Sequence, residues 1–329
     1  MTLKEIAAMA GVSPAAVSRF LNGGSLSSEK SEKIREVIEQ TGFRPNTLAR
    51  SLRKGLAKQV GVLVPKIHST SMSEVLAGIE SILSEKGYLT LLCCADGDVK
   101  KEEEYLLQFR SLQLAGLIIM ACGADPVREE LYLEAGVPLV VTGQSFERLD
   151  CVFHDDYHAM YALAEIMIKA GRKQIAYIGV DHSDHAVGEE RSRGAREALR
   201  DAGLNADRMP EVFSDFSISG GYKAMKALFA KGLRPDGVLC ATDSMAQGAL
   251  QAAKEAGLRV PQDISVAGIG NDDANEISEP KLTTIKLYQF ECGRQAAIML
   301  LDRIEKEENA QILPRKTMLS YTLRERGSI

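Results

Sequence analysis

No stretch of this 329-residue sequence is apolar for long enough to span a bilayer, and no signal peptide opens it. A membrane partner is therefore not expected, and the chain is expected in the cytoplasm. The six cysteines (Cys93, Cys94, Cys122, Cys151, Cys240, Cys292) form no C-x-x-C pair and sit mostly in apolar stretches. They read as reduced core residues, which excludes a disulfide framework and a zinc site. No nucleophile elbow, no G-x-x-x-x-G-K phosphate cradle and no paired-acid pattern is present, so no catalytic residue and no cofactor is assigned. Gly268-Ile269-Gly270 lacks the third glycine and the leading position in a βαβ unit that a dinucleotide site needs. Asp181-His182-Ser183-Asp184-His185 has no well-spaced third and fourth ligand, and reads as a polar loop, not a metal site.

What is present is a substantial apolar fraction, 45%, enough for two or three domains with real cores. The net charge of −5 is unevenly spread. Residues 1–58 carry a balance of +5 and the remainder −10. A basic head on an acidic body fits a head that meets phosphate and a body that does not.

The first 22 residues organise the chain. Thr2 and Glu5 have capping-box spacing, and Leu3, Ile6, Ala7 and Ala10 make one apolar helical face. Gly11 permits a sharp turn. Ser13 can cap a second helix with Pro14 at its first position. Val17 and Leu21 point inward in that helix, while Ala15, Ser18, Arg19 and Asn22 share the opposite face. This predicts a helix-turn-helix whose second helix enters a DNA major groove. An ordinary helical hairpin is the plainer alternative on pattern alone.

A third helix is predicted over 28–40. The basic, apolar-poor segment from Phe43 to Gly55 is too short to hold a helix by itself, so it is read as a linker that orders against DNA. From Val60 the character changes. Apolar runs at 60–65, 88–95, 116–122, 138–143, 175–180, 237–242 and 264–270 alternate with helix-length segments such as 72–87, 187–203, 219–232 and 243–257. Late pieces at 282–287 and 316–323 bracket a helix over 289–306. Strand–helix alternation with continuously apolar strands predicts two doubly wound parallel sheets, with ligands at the carboxyl ends of the strands.

These residues resemble the lactose-repressor (LacI) family of bacterial regulators over essentially the whole chain. The resemblance rests on Leu3-x-x-Ile6-Ala7-x-x-Ala10-Gly11-Val12-Ser13-x-x-x-Val17-Ser18-Arg19-x-Leu21-Asn22 and on Pro45-Asn46-x-x-Ala49-x-x-Leu52. In the body it rests on Arg191-x-x-Gly194, on Ala241-Thr242-Asp243-x-Met245-Ala246-x-Gly248, on Val260-Pro261-x-Asp263-Ile264-Ser265-Val266 and on Pro280-x-Leu282-Thr283-Thr284-Ile285. It implies an all-α helix-turn-helix head (1–45), a hinge helix (46–58) and an α/β body like a periplasmic binding protein (59–329). The N-subdomain of that body is expected at 59–156 and 288–316, and the C-subdomain at 157–287 and 317–329, with three crossings between them.

The resemblance further implies a homodimer on double-stranded operator DNA, and the ending at Ile329 without an apolar heptad tail gives no ground for a tetramer. Arg19 is the expected base reader, able to grip guanine O6 and N7 together. Ser13, Pro14, Ala15, Ala16, Ser18 and Asn22 accompany it, and the small side chains at 14–16 suit a thymine methyl. Asn46, Ala49 and Leu52 map to the hinge, with Leu52 as the minor-groove wedge. For the effector the resemblance implies Ser69, Ser71, Met72, Gln144, Asp155, Arg191, Asp243 and Asp272, with Tyr157, Phe146 and Tyr288 as stacking candidates. The effector is a sugar, a sugar phosphate or a sugar acid; the family often has arginine near Gln144 and an aromatic residue at Asn271, which leaves that choice open. Two rivals stand beside this regulator of carbohydrate-use genes. One is a sugar-binding module whose head meets protein, which predicts weak salt dependence; the other is an enzyme on the same fold.

Overall fold

The computed structural model describes residues 1–21, 24–43, 58–67, 69–305 and 313–329. It separates into two compact units, Met1–Ala57 and Lys58–Ile329.

The first unit contains α1 (Leu3–Met9), α2 (Pro14–Leu21) and α3 (Ser28–Thr41). The capping box forms as the spacing predicts: Glu5 N–H donates to Thr2 Oγ1 (3.3 Å) and Thr2 N–H to Glu5 Oε2 (2.8 Å). Ile6, Ala7, Ala10, Val17, Ile34 and Val37 close a small core between the three helices.

The body runs in order β1 (Gln59–Val64), α4 (Thr70–Glu85), β2 (Leu89–Cys94), α5 (Val99–Ser111), β3 (Gly116–Met120), α6 (Pro126–Leu133), β4 (Leu139–Thr142), β5 (Asp150–His154) and α7 (Asp156–Lys169). It continues through β6 (Ile175–Gly179), a π-helix (His185–Glu190), α8 (Arg191–Asp201), β7 (Glu211–Phe213), α9 (Ile218–Ala230), β8 (Gly237–Cys240), α10 (Asp243–Glu255) and β9 (Ser265–Gly270). Last come α11 (Ala274–Ile277), β10 (Thr283–Leu287), α12 (Gln289–Ile304), β11 (Lys316–Leu319) and β12 (Tyr321–Arg324).

Two six-stranded sheets result, ordered β11-β5-β4-β3-β1-β2 and β12-β10-β9-β8-β6-β7. Every pairing is parallel except β10 with β12. The N-subdomain sheet has a core on each face, one holding Val62, Ile79, Ile118 and Leu300, the other Leu63, Phe109, Leu117 and Val141. Both faces being covered explains the unbroken apolar runs. Helices α4 and α12 meet at Gly78 and Gly293, where a Cβ on either would collide with the other helix's backbone.

The chain crosses between subdomains after β5, after β10 and between β11 and β12. The last crossing corrects the expected boundary. Residues 316–319 pair with β5 in the first sheet and 321–324 with β10 in the second, so the chain changes sheet at Ser320 and not at Thr317. The single late strand expected over 316–323 is thus two strands, and β12 runs antiparallel.

Candidate functional site

In the head, Ser13 Oγ accepts from Ala16 N–H (3.2 Å), which caps α2. Val17 is fully buried, while Pro14, Ala15 and Arg19 are exposed and Ser18 is half-buried. Ala16 is corrected: its side chain is buried beside Val17, so it does not present a methyl group outward. Arg19 stands at the end of the helix with no carboxylate partner among the described residues. Asn22, Asn46, Ala49 and Leu52 lie outside the described residues.

In the body, the carboxyl ends of both sheets converge on a cleft. Ser69 precedes α4, and Ser71 and Met72 lie in its first turn, all half-buried. Asp155 caps α7 by accepting from His158 N–H (3.1 Å), and its two oxygens also lie 2.8 Å from His158 Nδ1. Arg191 leaves the π-helix pointing inward. Its Nε donates to Asp156 Oδ1 (2.7 Å), its Nη2 lies 2.6 Å from the same oxygen, and its Nη1 donates to the Ala241 carbonyl. Both members of this pair are buried. Burial raises the Asp156 carboxyl and the Arg191 guanidinium opposes that rise. Arg191 therefore reaches the cleft already neutralised.

Asp243 is corrected from effector ligand to anchor. It is 1% exposed and accepts from Asn271 N–H, Asp272 N–H (3.1 Å), Asn275 Nδ2 (2.6 Å) and Thr284 Oγ1 (2.7 Å). It thereby fixes the loop that follows β9. Burial pushes its carboxyl up to about 6 against those hydrogen bonds. Asp272, carried by that loop, is half-buried, and burial raises it with Asp273 adding to the effect.

Gln144 bridges the subdomains. Its Nε2 donates to Asp184 Oδ1 (2.8 Å), and Ala186 N–H donates to its Oε1 (3.1 Å). Each end of the side-chain amide thus holds one group after β6. Two more contacts draw the subdomains together. Lys66 sits 4.7 Å above the Phe216 ring, and a Cβ on Gly123 would stand 2.9 Å from the Ser183 carbonyl.

His182 and His185 each face a carboxylate, Glu211 at 3.3 Å and Glu189 at 2.7 Å. Of the stacking candidates, Phe146 is corrected to a core residue, buried edge-on against Tyr132 at 5.5 Å. Tyr157 lies under the Arg193 guanidinium at 4.2 Å, and the Tyr288 hydroxyl is 2.6 Å from Thr322 Oγ1.

The sequence reading missed Asp156, His154, Phe216 and Glu74. Asp156 had a signal: an arginine placed in an apolar cleft needs a carboxylate, and the Asp155-Asp156 pair opens a helix. Phe216 follows the three-residue strand β7, too short to mark its end in sequence.

The buried groups set a pH dependence. His154 is 7% exposed, and its imidazole is pushed down to about 4 by burial and by Arg191. Between the ordinary histidine value and that one, the unfolded chain binds more protons, so stability falls as pH is lowered. Asp243 has the opposite sign: its folded form holds a proton below about 6 that the unfolded chain holds only near 3.8, so it gains stability over that window. The stability difference between His154→Phe and the unaltered protein should therefore move in favour of the variant by about 3 kcal/mol as pH falls from about 7 to about 4. Urea unfolding across that range measures it, and parallel profiles would contradict the assignment.

Comparison with known proteins follows the same division of the chain. Residues 2–46 match the model of bacterial regulatory proteins of the lacI family, and residues 164–329 match that of the periplasmic binding protein-like domain. The transcriptional repressor PurR of Pectobacterium atrosepticum is 33% identical over 100% of this chain and 96% of its own. A LacI family regulator from Enterococcus faecium, solved with bound ribose, is 30% identical over 82% of this chain and 98% of its own, with a TM-score of 0.72. The Lac repressor dimer bound to operator and an anti-inducer shares the fold, with a TM-score of 0.90 at 24% identity over 100% of this chain and 98% of its own.

Proposed function

Because this chain belongs to the lacI family of bacterial regulatory proteins, and so is a DNA-binding transcriptional regulator and not an enzyme, we propose that it represses genes of carbohydrate use and that a small neutral sugar held between its body subdomains sets its operator affinity. The pairing of Arg191 with Asp156 carries the choice of a neutral effector. Among the described residues, the one buried arginine at the cleft is already balanced by a buried carboxylate. A sugar phosphate or sugar acid would find the Arg191 charge already offset by the Asp156 carboxylate. It would also meet Glu74, Asp184 and Asp272, each raised by burial, where a further negative charge is costly. Hydroxyl groups can donate to such carboxylates and complete their hydrogen bonding. Phe216, 37% exposed at the cleft mouth, offers an apolar face to a sugar ring.

Effector binding favours one state of cleft closure and shifts the protein only by its difference in affinity between states. A homodimer conveys that state to two DNA heads. The edge strand β2 exposes Leu89, Leu91 and Leu92, an apolar row of the kind a partner copy covers. No helix among the described residues is long and apolar enough to cross a membrane, and the regulator works in the cytoplasm.

A thermal-unfolding screen of the full-length protein tests the effector class. Ribose, cellobiose and other neutral sugars are compared with their phosphates and acids. A bound neutral sugar at 100 times its Kd should stabilise by about 2.7 kcal/mol. Stabilisation by phosphorylated or acidic sugars alone would overturn the neutral assignment.

A further inference from the structure

Gln144 follows β4 in the N-subdomain and is 2% exposed, yet its side chain ends in the C-subdomain. It meets the start of the π-helix His185–Glu190. Asp184 caps that helix, its Oδ1 accepting from Val187 N–H (3.0 Å). Gln144 Nε2 donates to the same oxygen (2.8 Å), and Gln144 Oε1 accepts from Ala186 N–H (3.1 Å). The first amides of a helix have no acceptor within it, so Ala186 must find one outside. The acceptor it finds belongs to the other subdomain. A carboxylate beside an amide N–H asks for one donor and one acceptor side by side, and a primary amide supplies both. An arginine at 144 would donate to Asp184 and accept nothing from Ala186. A glutamate would accept from Ala186 but set two carboxylates face to face. Next to this contact the backbones themselves come close. Glycine at 123 lets the loop after β3 approach Ser183, whose carbonyl would stand 2.9 Å from an added Cβ.

We propose that Gln144 is a latch: its side-chain amide closes the start of the C-subdomain's π-helix and holds the body subdomains together with protein groups alone, so that this residue sets the balance between open and closed clefts on which an effector then acts. The proposal rests on the reading of cleft closure as the regulated state, and not on the chemistry of the effector. Every partner in the latch belongs to the chain, so its hydrogen bonds form whenever the subdomains meet. Opening the cleft breaks one charge-assisted and one neutral hydrogen bond and leaves Ala186 N–H without its acceptor. Loss of the amide should therefore shift the closed–open balance by roughly ten- to a hundredfold toward open. The closed fraction enters the apparent affinity of any ligand that selects the closed cleft. Arg191 follows the π-helix directly and pairs with Asp156 beside the first crossing, so the latched helix is tied to the hinge as well.

The test uses full-length protein with 4-fluorophenylalanine in place of Phe216. That ring lies beyond β7, under the Lys66 ammonium of the N-subdomain, so its 19F resonance reports contact between subdomains at a place apart from Gln144. Lys66→Ala marks where the resonance falls without that contact. Hydrogen exchange at the Ala186 amide reports the latch itself. Gln144→Ala should move the resonance toward the Lys66→Ala position and speed Ala186 exchange by roughly ten- to a hundredfold. Gln144→Glu should do the same by repulsion from Asp184. Adding Asp184→Asn to Gln144→Glu faces a donor with an acceptor again, in reversed polarity, and asparagine caps a helix as well as aspartate does. This double variant should return both readouts at least part of the way. Faster Ala186 exchange with an unmoved Phe216 resonance would mean that the bonds are only local, and overturns the latch. So does an absence of response in both readouts, or a double variant no better than Gln144→Glu. Should Gln144→Glu fail to fold, Gln144→Ala against the double variant decides the matter. None of these outcomes depends on which sugars stabilise the protein, so the effector reading and the latch stand or fall separately.

Discussion

Replacement of Arg191 by methionine is expected to cost about 3–5 kcal/mol of stability, because it leaves the Asp156 carboxylate buried without its counter-charge. The two side chains are 7% and 6% exposed, so water does not screen the loss. Burial already raises the Asp156 carboxyl with Arg191 in place, and without the guanidinium it rises further. The folded variant then keeps a proton at pH values where the unfolded chain has already released its own, so lowering the pH should restore part of its stability. The double variant Arg191→Met, Asp156→Asn should also recover most of the loss, since removing both charges is often nearly neutral. Urea unfolding of the two single variants and the double gives the coupling directly. Additive losses would mean that the pair is not the source of the effect. Arg191 Nη1 also holds the Ala241 carbonyl, next to the anchor Asp243, so loss of cooperativity within the C-subdomain should accompany the shift.

The alternation of strands and helices, the two sheets and the three helices of the head were legible because their periodicities and caps are local. What was not legible depended on partners far along the chain. Strands β5 and β7 begin with Asp150 and Glu211, and neither carries a long apolar run. Asp150 is acceptable at a buried strand start because Arg303, some 150 residues later, donates to both of its oxygens. The same blindness affected the site. Asp243 and Asp155 are both helix-opening acids, yet one turns inward to four donors and the other caps its helix near the cleft mouth. Spacing cannot separate those outcomes, because they depend on Asn275 and Thr284. Gln144 drew attention by its position after β4, but its reach to Asp184 across the cleft exists only once the subdomains have closed. Phe146 and Phe216 are both aromatics beyond a strand; packing against Tyr132 buries the first, while the second carries the Lys66 ammonium above its ring and stays 37% exposed.

Arg19→Ala is expected to weaken operator binding by about 1–3 kcal/mol, roughly five- to 150-fold, if its guanidinium grips a guanine edge. The head supports that reading locally. Arg19 is exposed in the last turn of α2, and among the described residues no carboxylate holds it. The apolar side of the helix is fixed to the core by Val17, so the solvent face is set in angle. Salt dependence separates base reading from phosphate contact. Loss of a phosphate contact would flatten the slope of log affinity against log salt by about 1 and weaken all sequences alike. Loss of a guanine contact should leave the slope nearly unchanged and relax preference at one operator position. A cation near a helix C-terminus also contributes about 0.3–1 kcal/mol to the helix itself. Arg19→Lys controls for this, because it keeps the charge there but cannot make the two parallel bonds of a guanidinium. If Arg19→Lys binds operator as tightly and as selectively as the unaltered protein, Arg19 does not read a base. If it falls most of the way toward Arg19→Ala, the planar fork and not the charge is what the operator recognises.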